Sequence, residues 1–371
     1  MLFTTDILNN AVSTAPPWPF GIWWVHWLVM AVIILVFFFA LVIGFIWFER
    51  RAMARMQARL GPNRVGPFGF LQPIADVVKV MLKEDIVPFC ADKVVHFIAP
   101  IVALVPVLVL FAVIPFSDGV VLADLNVGIL FFAAISSITG VGIFMAGWGS
   151  NNKYTLLGAM RDVASVVSYE IPVVLSLAGV VLLAGSMSLN DIVLAQNIPF
   201  ILMQPLGFVI FFLGASAEIN RAPFDLLEAD SELVAGYHTE YSGMKFAIFY
   251  LVEYGEALAL STIIATVFLS GWRGPLLPPW LWVLIKVGAV FFFIVWVRTT
   301  VPRVRIDQLM AFAWKFMFPL ALINLIITAA QVLAFPDLPW ILVIINIVLA
   351  VILIALWSRF FKIGWGRVEI G

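Results

Sequence analysis

Residues 22–48 read IWWVHWLVMAVIILVFFFALVIGFIWF, a run that contains no Asp, Glu, Lys or Arg. A helix needs about 20 apolar residues to cross the hydrocarbon core of a bilayer, so this run is long enough to span it. It is also longer than the roughly 7–15 apolar residues of a signal-peptide core, and no basic segment precedes it. We therefore expect a retained membrane span.

The composition of the whole chain indicates the same environment. Of 371 residues, 63% are hydrophobic and 12% are charged, whereas soluble proteins have about 45–50% and about 25%. A mean hydropathy of +1.10 excludes a disordered chain. The formal net charge of -1 lacks the basic excess of a nucleic-acid-binding protein. We expect an integral membrane protein with no nucleic-acid partner.

Ligands for a redox centre or a metal are scarce in this sequence. Cys90 is the only cysteine, and an iron–sulfur cluster needs about four thiolates. The three histidines lie far apart, and no glycine-rich phosphate loop follows a strand-like run. We expect that this chain alone binds neither a cofactor nor a metal.

Hydropathy predicts nine spans, separated by charged or Pro/Gly-rich segments. Their approximate limits are 22–48, 94–115, 126–149, 158–185, 199–217, 243–271, 279–301, 315–335 and 338–358. The predicted fold class is therefore all-α, a polytopic membrane protein that forms one transmembrane helical domain over residues 1–371.

Basic residues are concentrated in the loops of one side. Among the even-numbered loops and the N-terminal tail, only Arg273 carries a positive charge. Because cytoplasmic loops are enriched in Lys and Arg, we expect the N-terminus outside and the C-terminus in the cytoplasm. A bacterial inner membrane is expected, with an organellar inner membrane as the alternative.

The first predicted cytoplasmic loop, about 49–93, contains a Pro/Gly turn at 61–67 and then a helical pattern. Apolar residues recur at Ile74, Val77, Val78 and Met81, which predicts an amphipathic helix in the membrane interface. Composition leaves two interpretations of this loop open. It is either a positive-inside anchor or a docking floor beside the opening through which a lipid-soluble molecule enters.

The second predicted cytoplasmic loop, about 218–243, is strongly acidic. Asp225, Glu228, Asp230 and Glu232 lie close together, with Arg221 as the only nearby cation. Full ionisation would bring strong repulsion, so some of these acids should hold protons if the loop packs away from water. A third cytoplasmic loop is expected at about 302–314.

Acids also occur inside the predicted spans, at Glu170, Glu253 and Glu256. A charge at the bilayer centre costs about 2.5–3.5 kcal/mol, so such side chains normally face a protein-lined interior. One interpretation is structural ion pairs, with Lys286 and Arg298 as counter-charges. The other is a proton path from the acidic loop, which would pass in order through Glu218, Glu253 with Glu256, and Glu170.

Several sequence blocks carry a family signature. They include Glu49-Arg50-Arg51, Gly61-Pro62-Asn63-Arg64, Ser168-Tyr169-Glu170, Arg221-Ala222-Pro223-Phe224-Asp225 and Glu240-Tyr241-Ser242, and such blocks extend over about residues 45–320. In these blocks the chain resembles the H-type membrane subunit of proton-translocating NADH:quinone oxidoreductase, respiratory complex I, which is equivalent to the mitochondrially encoded subunit 1.

The resemblance implies a membrane protein that forms part of the quinone chamber. Quinone would be the substrate, while FMN and iron–sulfur clusters would belong to partner subunits of a peripheral arm. Other membrane-arm subunits and lipid are further implied partners. The family also places a third-span carboxylate in some members where this chain has Ser136 and Ser137, which bears on any proton route through that helix.

The resemblance also implies site residues, at the positions of this chain that match the family. The expected proton-relay residues, with Glu256 added from its position one turn after Glu253, are Glu170, Glu218, Glu253, Glu256, Asp225, Glu228, Asp230, Glu232 and Glu240. The expected residues of the quinone chamber and the peripheral-arm interface are Arg51, Arg59, Arg64, Asp76 and Arg221.

Three other functions stay open from the sequence alone. They are a stand-alone proton- or cation-coupled transporter, a purely structural anchor for a redox arm, and a membrane subunit of a related hydrogenase or ferredoxin-linked complex. The one-sided charged loops suit a large soluble partner better than a transporter. The Gly61–Arg64 run and the acidic loop favour the quinone-reducing members of the superfamily.

Overall fold

A computed structural model describes residues 23–117, 120–221, 223–225, 234–334 and 339–360. Over these residues the regular secondary structure is helical, and there is no β-strand. The helices are α1 Trp23–Met56, α2 Gln72–Met81, α3 Lys93–Leu110, α4 Gly128–Gly149, α5 Lys153–Ala184, α6 Leu189–Ala195, α7 Phe200–Met203, α8 Pro205–Glu218, α9 Gly243–Val267, α10 Pro279–Thr300, α11 Ile306–Ala334 and α12 Pro339–Phe360. Short 3₁₀ turns occur at Pro67–Gly69 and Gly236–His238.

Eight of these helices are long and apolar enough to cross a membrane, namely α1, α3, α4, α5, α9, α10, α11 and α12. The predicted all-α polytopic fold class is therefore confirmed. The remaining predicted span, 199–217, is interrupted, because α7 ends at Met203 and α8 begins at Pro205. With 14 residues, α8 is about 21 Å long, which is shorter than the roughly 30 Å hydrocarbon core.

Two charged stretches that were predicted as loops are helical. Helix α1 continues past residue 48 to Met56, so that Glu49 lies inside the helix and is 0% exposed. Helix α11 begins at Ile306, where the Arg305 backbone N–H donates to the Gln308 side chain. Most of the predicted loop 302–314 is therefore the first part of α11, which includes a π-helical segment at Phe312–Met317.

The amphipathic helix predicted from Ile74 onward is present as α2. Its apolar side chains Ile74, Val77 and Met81 are between 43% and 61% exposed, as expected for a helix that faces the membrane interface. An ion pair between Arg50 on α1 and Asp76 on α2 attaches this helix to the first span. The apolar face of α2 is thus held in a defined orientation.

Close contact between spans depends on glycine. A Cβ atom on Gly142 of α4 would lie 2.6 Å from the backbone nitrogen of Ala103 on α3. On the other side of α4, a Cβ on Gly147 would lie 2.7 Å from the carbonyl oxygen of Thr155 on α5. Small residues let spans approach in this way, since lipid offers no hydrophobic force to press them together. Helix α4 is therefore clamped between α3 and α5.

At the C-terminal end of α9, an amide caps the helix and a cation binds the loop that follows it. Gln196 Nε2 donates to the carbonyls of Thr266 and Val267 at the end of α9, at 2.9 and 3.0 Å. Lys286 Nζ donates to the carbonyls of Gly271 and Arg273, at 2.8 and 2.7 Å. Lys286 therefore neutralises backbone dipoles, and its predicted role as a counter-charge to the buried acids is wrong.

We predict that Gly142→Ala destabilises the protein, because the added methyl group has no space against the Ala103 backbone. The expected cost is about 1–3 kcal/mol, seen as a lower midpoint of thermal unfolding of the purified protein in detergent. Gly44→Ala on α1 is the matched control, since a Cβ there would meet nothing within 4 Å. Equal midpoints for the two variants would contradict the packing argument.

Candidate functional site

A buried ion cluster lies where α1, α9 and α10 meet the residues that follow α8. The Arg221 side chain is 0% exposed, and its Nη1 lies 2.6 Å from Glu49 Oε2. Arg221 Nε lies 3.2 Å from Glu253 Oε1. Glu49 Oε1 also accepts from Arg298 Nη1, at 2.5 Å. Two arginines and two glutamates thus form one neutral cluster.

Aromatic rings complete the surroundings of Arg221. Its guanidinium carbon lies 4.4 Å from the ring centre of Tyr254 and 6.0 Å from that of Phe291, which adds cation–π attraction. Burial alone would lower the pKa of the Arg221 guanidinium, but the charges of Glu49 and Glu253 raise it above its ordinary value. Arg221 is therefore a permanent cation inside the protein, and not an exposed interface residue.

Carboxyl side chains continue from this cluster into the bundle. Glu253 interacts with Glu256 on the same helix, Glu256 interacts with Glu218 at the end of α8, and Glu218 interacts with Glu170 on α5. Glu218 is therefore coupled electrostatically to both Glu256 and Glu170, whereas the predicted path had Glu218 before Glu253. Within the described part of the chain, no cation lies within 4 Å of Glu256, Glu218 or Glu170. We call these four glutamates the carboxyl string.

Helix α4 lines the carboxyl string with hydroxyl groups. Ser136 lies near Glu218 and Ser137 near Glu170, while the Thr139 hydroxyl, near Glu256, makes no hydrogen bond with the described residues. The Ser136 and Ser137 hydroxyls donate to the carbonyls of the preceding turn, at 3.0 and 3.1 Å. Their oxygen lone pairs are then free to accept a hydrogen bond from a neutral carboxylic acid. The two serines thus supply polar contacts without adding another acid.

Asp162 is an acid of this region that the sequence analysis missed. It is 0% exposed and interacts with Glu218 and Glu256. Its Oδ1 accepts from Asn220 Nδ2, while its Oδ2 has no hydrogen-bond partner among the described residues. Its spacing from Glu170 gave little signal, because eight residues turn a helix by about 800° and so leave the two side chains about 80° apart around its axis.

A small polar cavity connects the acidic loop with the string. It has a volume of about 30 Å³ and is lined by Asp225, Asn220, Tyr237, Glu253 and Glu256, among others. A single buried water needs about 10–15 Å³, so the cavity has room for two or three. Asp225 itself is held at the rim, where it accepts from Arg303 Nη2 at 2.9 Å.

Other predicted site residues lie apart from the carboxyl string. Glu240 accepts from Asn152 Nδ2 at the start of α5, at 2.7 Å. Asp76 is paired with Arg50 on α1. The predicted acids Glu228, Asp230 and Glu232 lie outside the described residues.

The predicted basic residues of the first loop surround the turn before α2. The Arg51 guanidinium carbon lies 5.4 and 5.1 Å from the ring centres of Trp47 and Phe68, and Arg51 donates to the Phe68 carbonyl at 3.0 Å. Arg59 and Arg64 are exposed. The structure therefore separates an exposed basic region near α2 from the buried cluster around Arg221.

Comparison with known proteins identifies the family. The NADH dehydrogenase family matches residues 29–329. The chain is 60% identical to the H-type subunit of NADH-quinone oxidoreductase from Dehalococcoides mccartyi strain CBDB1, over 94% of this chain and 99% of that protein. It is 46% identical to the corresponding protein of Brevibacillus brevis strain 47, over 88% and 98% of the two chains. It is also 51% identical to the second such protein of Syntrophobacter fumaroxidans, over 78% and 90%. The chain belongs to the family of H-type subunits of NADH-quinone oxidoreductase.

Proposed function

We propose that this membrane subunit of an H⁺-translocating NADH:quinone oxidoreductase borders the quinone chamber and carries protons through its carboxyl string. The single observation that supports the proposal best is the string itself. Glu253, Glu256, Glu218 and Glu170 follow one another along one partly buried track, and only Glu253 has a cation beside it among the described residues.

Electrostatics turns that arrangement into a proton relay. Neighbouring carboxylates in a poorly solvated interior repel each other strongly, so they cannot all be ionised at once. Protons are therefore shared along the string, and a charge change at one end alters proton occupancy at the next position. The hydroxyls of α4 and the water-sized cavity beside Asp225 supply the polar contacts through which such protons can pass.

Glu253 is the junction between the relay and the ion cluster. On one side it faces Arg221, and on the other it faces Glu256. A proton on Glu253 weakens its attraction to Arg221, so that Arg221 is then paired mainly with Glu49. The state of Glu253 therefore links the position of a permanent cation to the proton occupancy of the string.

Quinone chemistry supplies the driving charge in this proposal. Reduction takes two electrons and two protons, so negative charge develops transiently in a chamber that is poorly solvated. That charge increases the proton affinity of nearby acids and draws protons along the string. The chamber would lie near α1, α2 and the acidic loop, with Arg51, Arg59, Arg64 and Asp76 as the candidate residues on its side of the subunit. The buried Arg221 belongs instead to the ion cluster behind them.

The rest of the reaction belongs to partner subunits. FMN and iron–sulfur clusters would be carried by a peripheral arm docked on the side of the basic loop between α1 and α3, and other membrane-arm subunits would flank the spans. With that side in the cytoplasm, and with α7 and α8 together completing a ninth crossing, the N-terminus lies outside and the C-terminus inside, in a bacterial membrane. The relatives named above are bacterial, which supports this location.

We predict that Glu256→Gln interrupts the relay, because glutamine keeps the size of the side chain but exchanges no proton. In membrane vesicles, NADH-driven proton uptake should fall at least tenfold, while the flavin and iron–sulfur clusters of the complex stay reducible by NADH. The control is Asp191→Asn, which changes an exposed acid on α6, outside both the string and the basic loop. Normal proton uptake by the Glu256→Gln complex would rule out the relay and leave a structural anchor.

We also predict that Arg221→Met prevents normal assembly, because it leaves two buried glutamates facing only Arg298. Removing one partner of a buried ion pair costs about 3–5 kcal/mol. The double variant Arg221→Met with Glu253→Gln should recover part of the assembled complex, since Glu49 and Arg298 then form a neutral pair.

The measurement for this pair of variants is the amount of the chain that co-purifies with the complex. Glu253→Gln alone serves as the reference. An Arg221→Met complex that assembles at the normal level, or a double variant no better than Arg221→Met, would contradict the charge balance of the cluster.

A further inference from the structure

A second polar cluster lies away from the carboxyl string, where the interrupted span meets α11 and α12. It consists of Gln204, Asn324, Thr328, Gln331 and Asn346, and we call it the amide cluster. Gln204 stands in the break between α7 and α8, and it is 2% exposed. The other four residues lie on α11 and α12, so the cluster joins three parts of the chain at membrane depth.

Direct hydrogen bonds account for most of the amide cluster. Gln204 Nε2 donates to Thr328 Oγ1 at 2.9 Å, and the Thr328 hydroxyl donates to the Asn324 carbonyl at 2.8 Å. Asn346 Nδ2 donates to the carbonyl of Met203 at 2.6 Å, and its Oδ1 accepts from Gln331 Nε2 at 2.5 Å. These bonds attach α11 and α12 to the helix break.

The same bonds fix which way the Gln204 amide points. Since the Thr328 hydroxyl uses its proton on Asn324, Thr328 must accept a hydrogen bond from Gln204, and only the amide nitrogen can supply it. Two glycines make room for that amide. A Cβ on Gly179 would collide with Gln204 Nε2, and one on Gly207 would lie 3.0 Å from Gln204 Cδ.

Two polar atoms of the cluster are left without a partner. Gln204 Oε1 and Asn324 Nδ2 make no hydrogen bond with the described residues, although the residues are only 2% and 8% exposed. One is an acceptor and the other is a donor. An unsatisfied polar atom is costly inside a protein and more so in a membrane, where bulk water cannot reach it.

Both residues line one small cavity between α8, α11 and α12. The space open to a water-sized sphere is about 10 Å³, which is close to the minimum for one water and too small for a larger ligand. Pro205 and Leu206, the first residues of α8, line the same cavity. Backbone N–H groups in the first turn of a helix have no acceptor within the helix, so this end offers a further donor.

We infer that the amide cluster is a binding site for a single ordered water molecule. The water accepts from Asn324 Nδ2 and donates to Gln204 Oε1, which satisfies both atoms at once. It bridges α11 to the start of α8 and so holds the helix break in place. This role is independent of the proposed relay, because none of the carboxyl string takes part in it.

The direct test is a cryo-EM structure of the whole complex at a resolution that shows ordered water. We expect a density peak about 2.7–3.2 Å from both Asn324 Nδ2 and Gln204 Oε1. A map with both side chains well ordered and no peak between them would overturn the inference. So would a map in which the two atoms bond directly to protein groups.

A double-mutant cycle gives a second test with Asn324→Leu and Gln204→Leu in the whole complex. Each single variant should shorten the half-time of heat inactivation at least about fivefold. Since the shared water is lost in either case, the double variant should be little worse than the worse single variant. If the fold-reduction in half-time of the double variant equals the product of the two single-variant reductions, a bridging water is contradicted.

Ser261→Ala combined with Asn324→Leu is the matched control for the cycle. Ser261 is buried on α9, and its one hydrogen bond among the described residues goes to the carbonyl of Ala257 within its own helix, at 2.7 Å. The fold-reductions in half-time caused by Ser261→Ala and by Asn324→Leu should therefore multiply in the combined variant. If Gln204→Leu prevents assembly, the cryo-EM map of the unmodified complex still decides the inference.

Discussion

The high cost of an unpaired charge in a membrane determines how this protein is built. Arg221 is completely buried, and it is tolerated there because Glu49 and Glu253 hold it and Tyr254 covers one face. The acids beyond Glu253 have no such cations within the described residues and instead lie next to one another and to hydroxyls. Charge balance therefore separates a fixed ionic cluster from a string whose proton occupancy can change.

That separation also explains the backbone around the site. Helix α1 keeps Glu49 inside the bundle because Arg221 and Arg298 neutralise its charge there, and the helix continues to Met56. The interrupted span does the opposite, since the break before Pro205 exposes backbone groups that the amide cluster then satisfies. In both places a polar group at membrane depth is accommodated by a specific partner on another helix.

Hydropathy predicted the all-α polytopic fold well, because a span needs a long apolar run that is visible in the sequence. The spacing of Glu253 and Glu256 likewise indicated a shared face of one helix. Pairing between distant segments was not predictable. Lys286 was assigned to the acids but caps backbone carbonyls, and Asp162 went unnoticed although it lies beside the string. Such contacts depend on how helices pack, which no local pattern of residues encodes.

Infrared difference spectroscopy of the whole complex tests the central claim most directly, because the carbonyl stretch of a neutral carboxylic acid is separate from that of a carboxylate. Spectra recorded before and during NADH-driven quinone reduction should contain a carboxylic-acid signal that changes with turnover. That signal should be lost or shifted when Glu256 is replaced by Gln and retained when Asp191 is replaced by Asn. Identical difference spectra for all three complexes would contradict proton transfer through the buried glutamates.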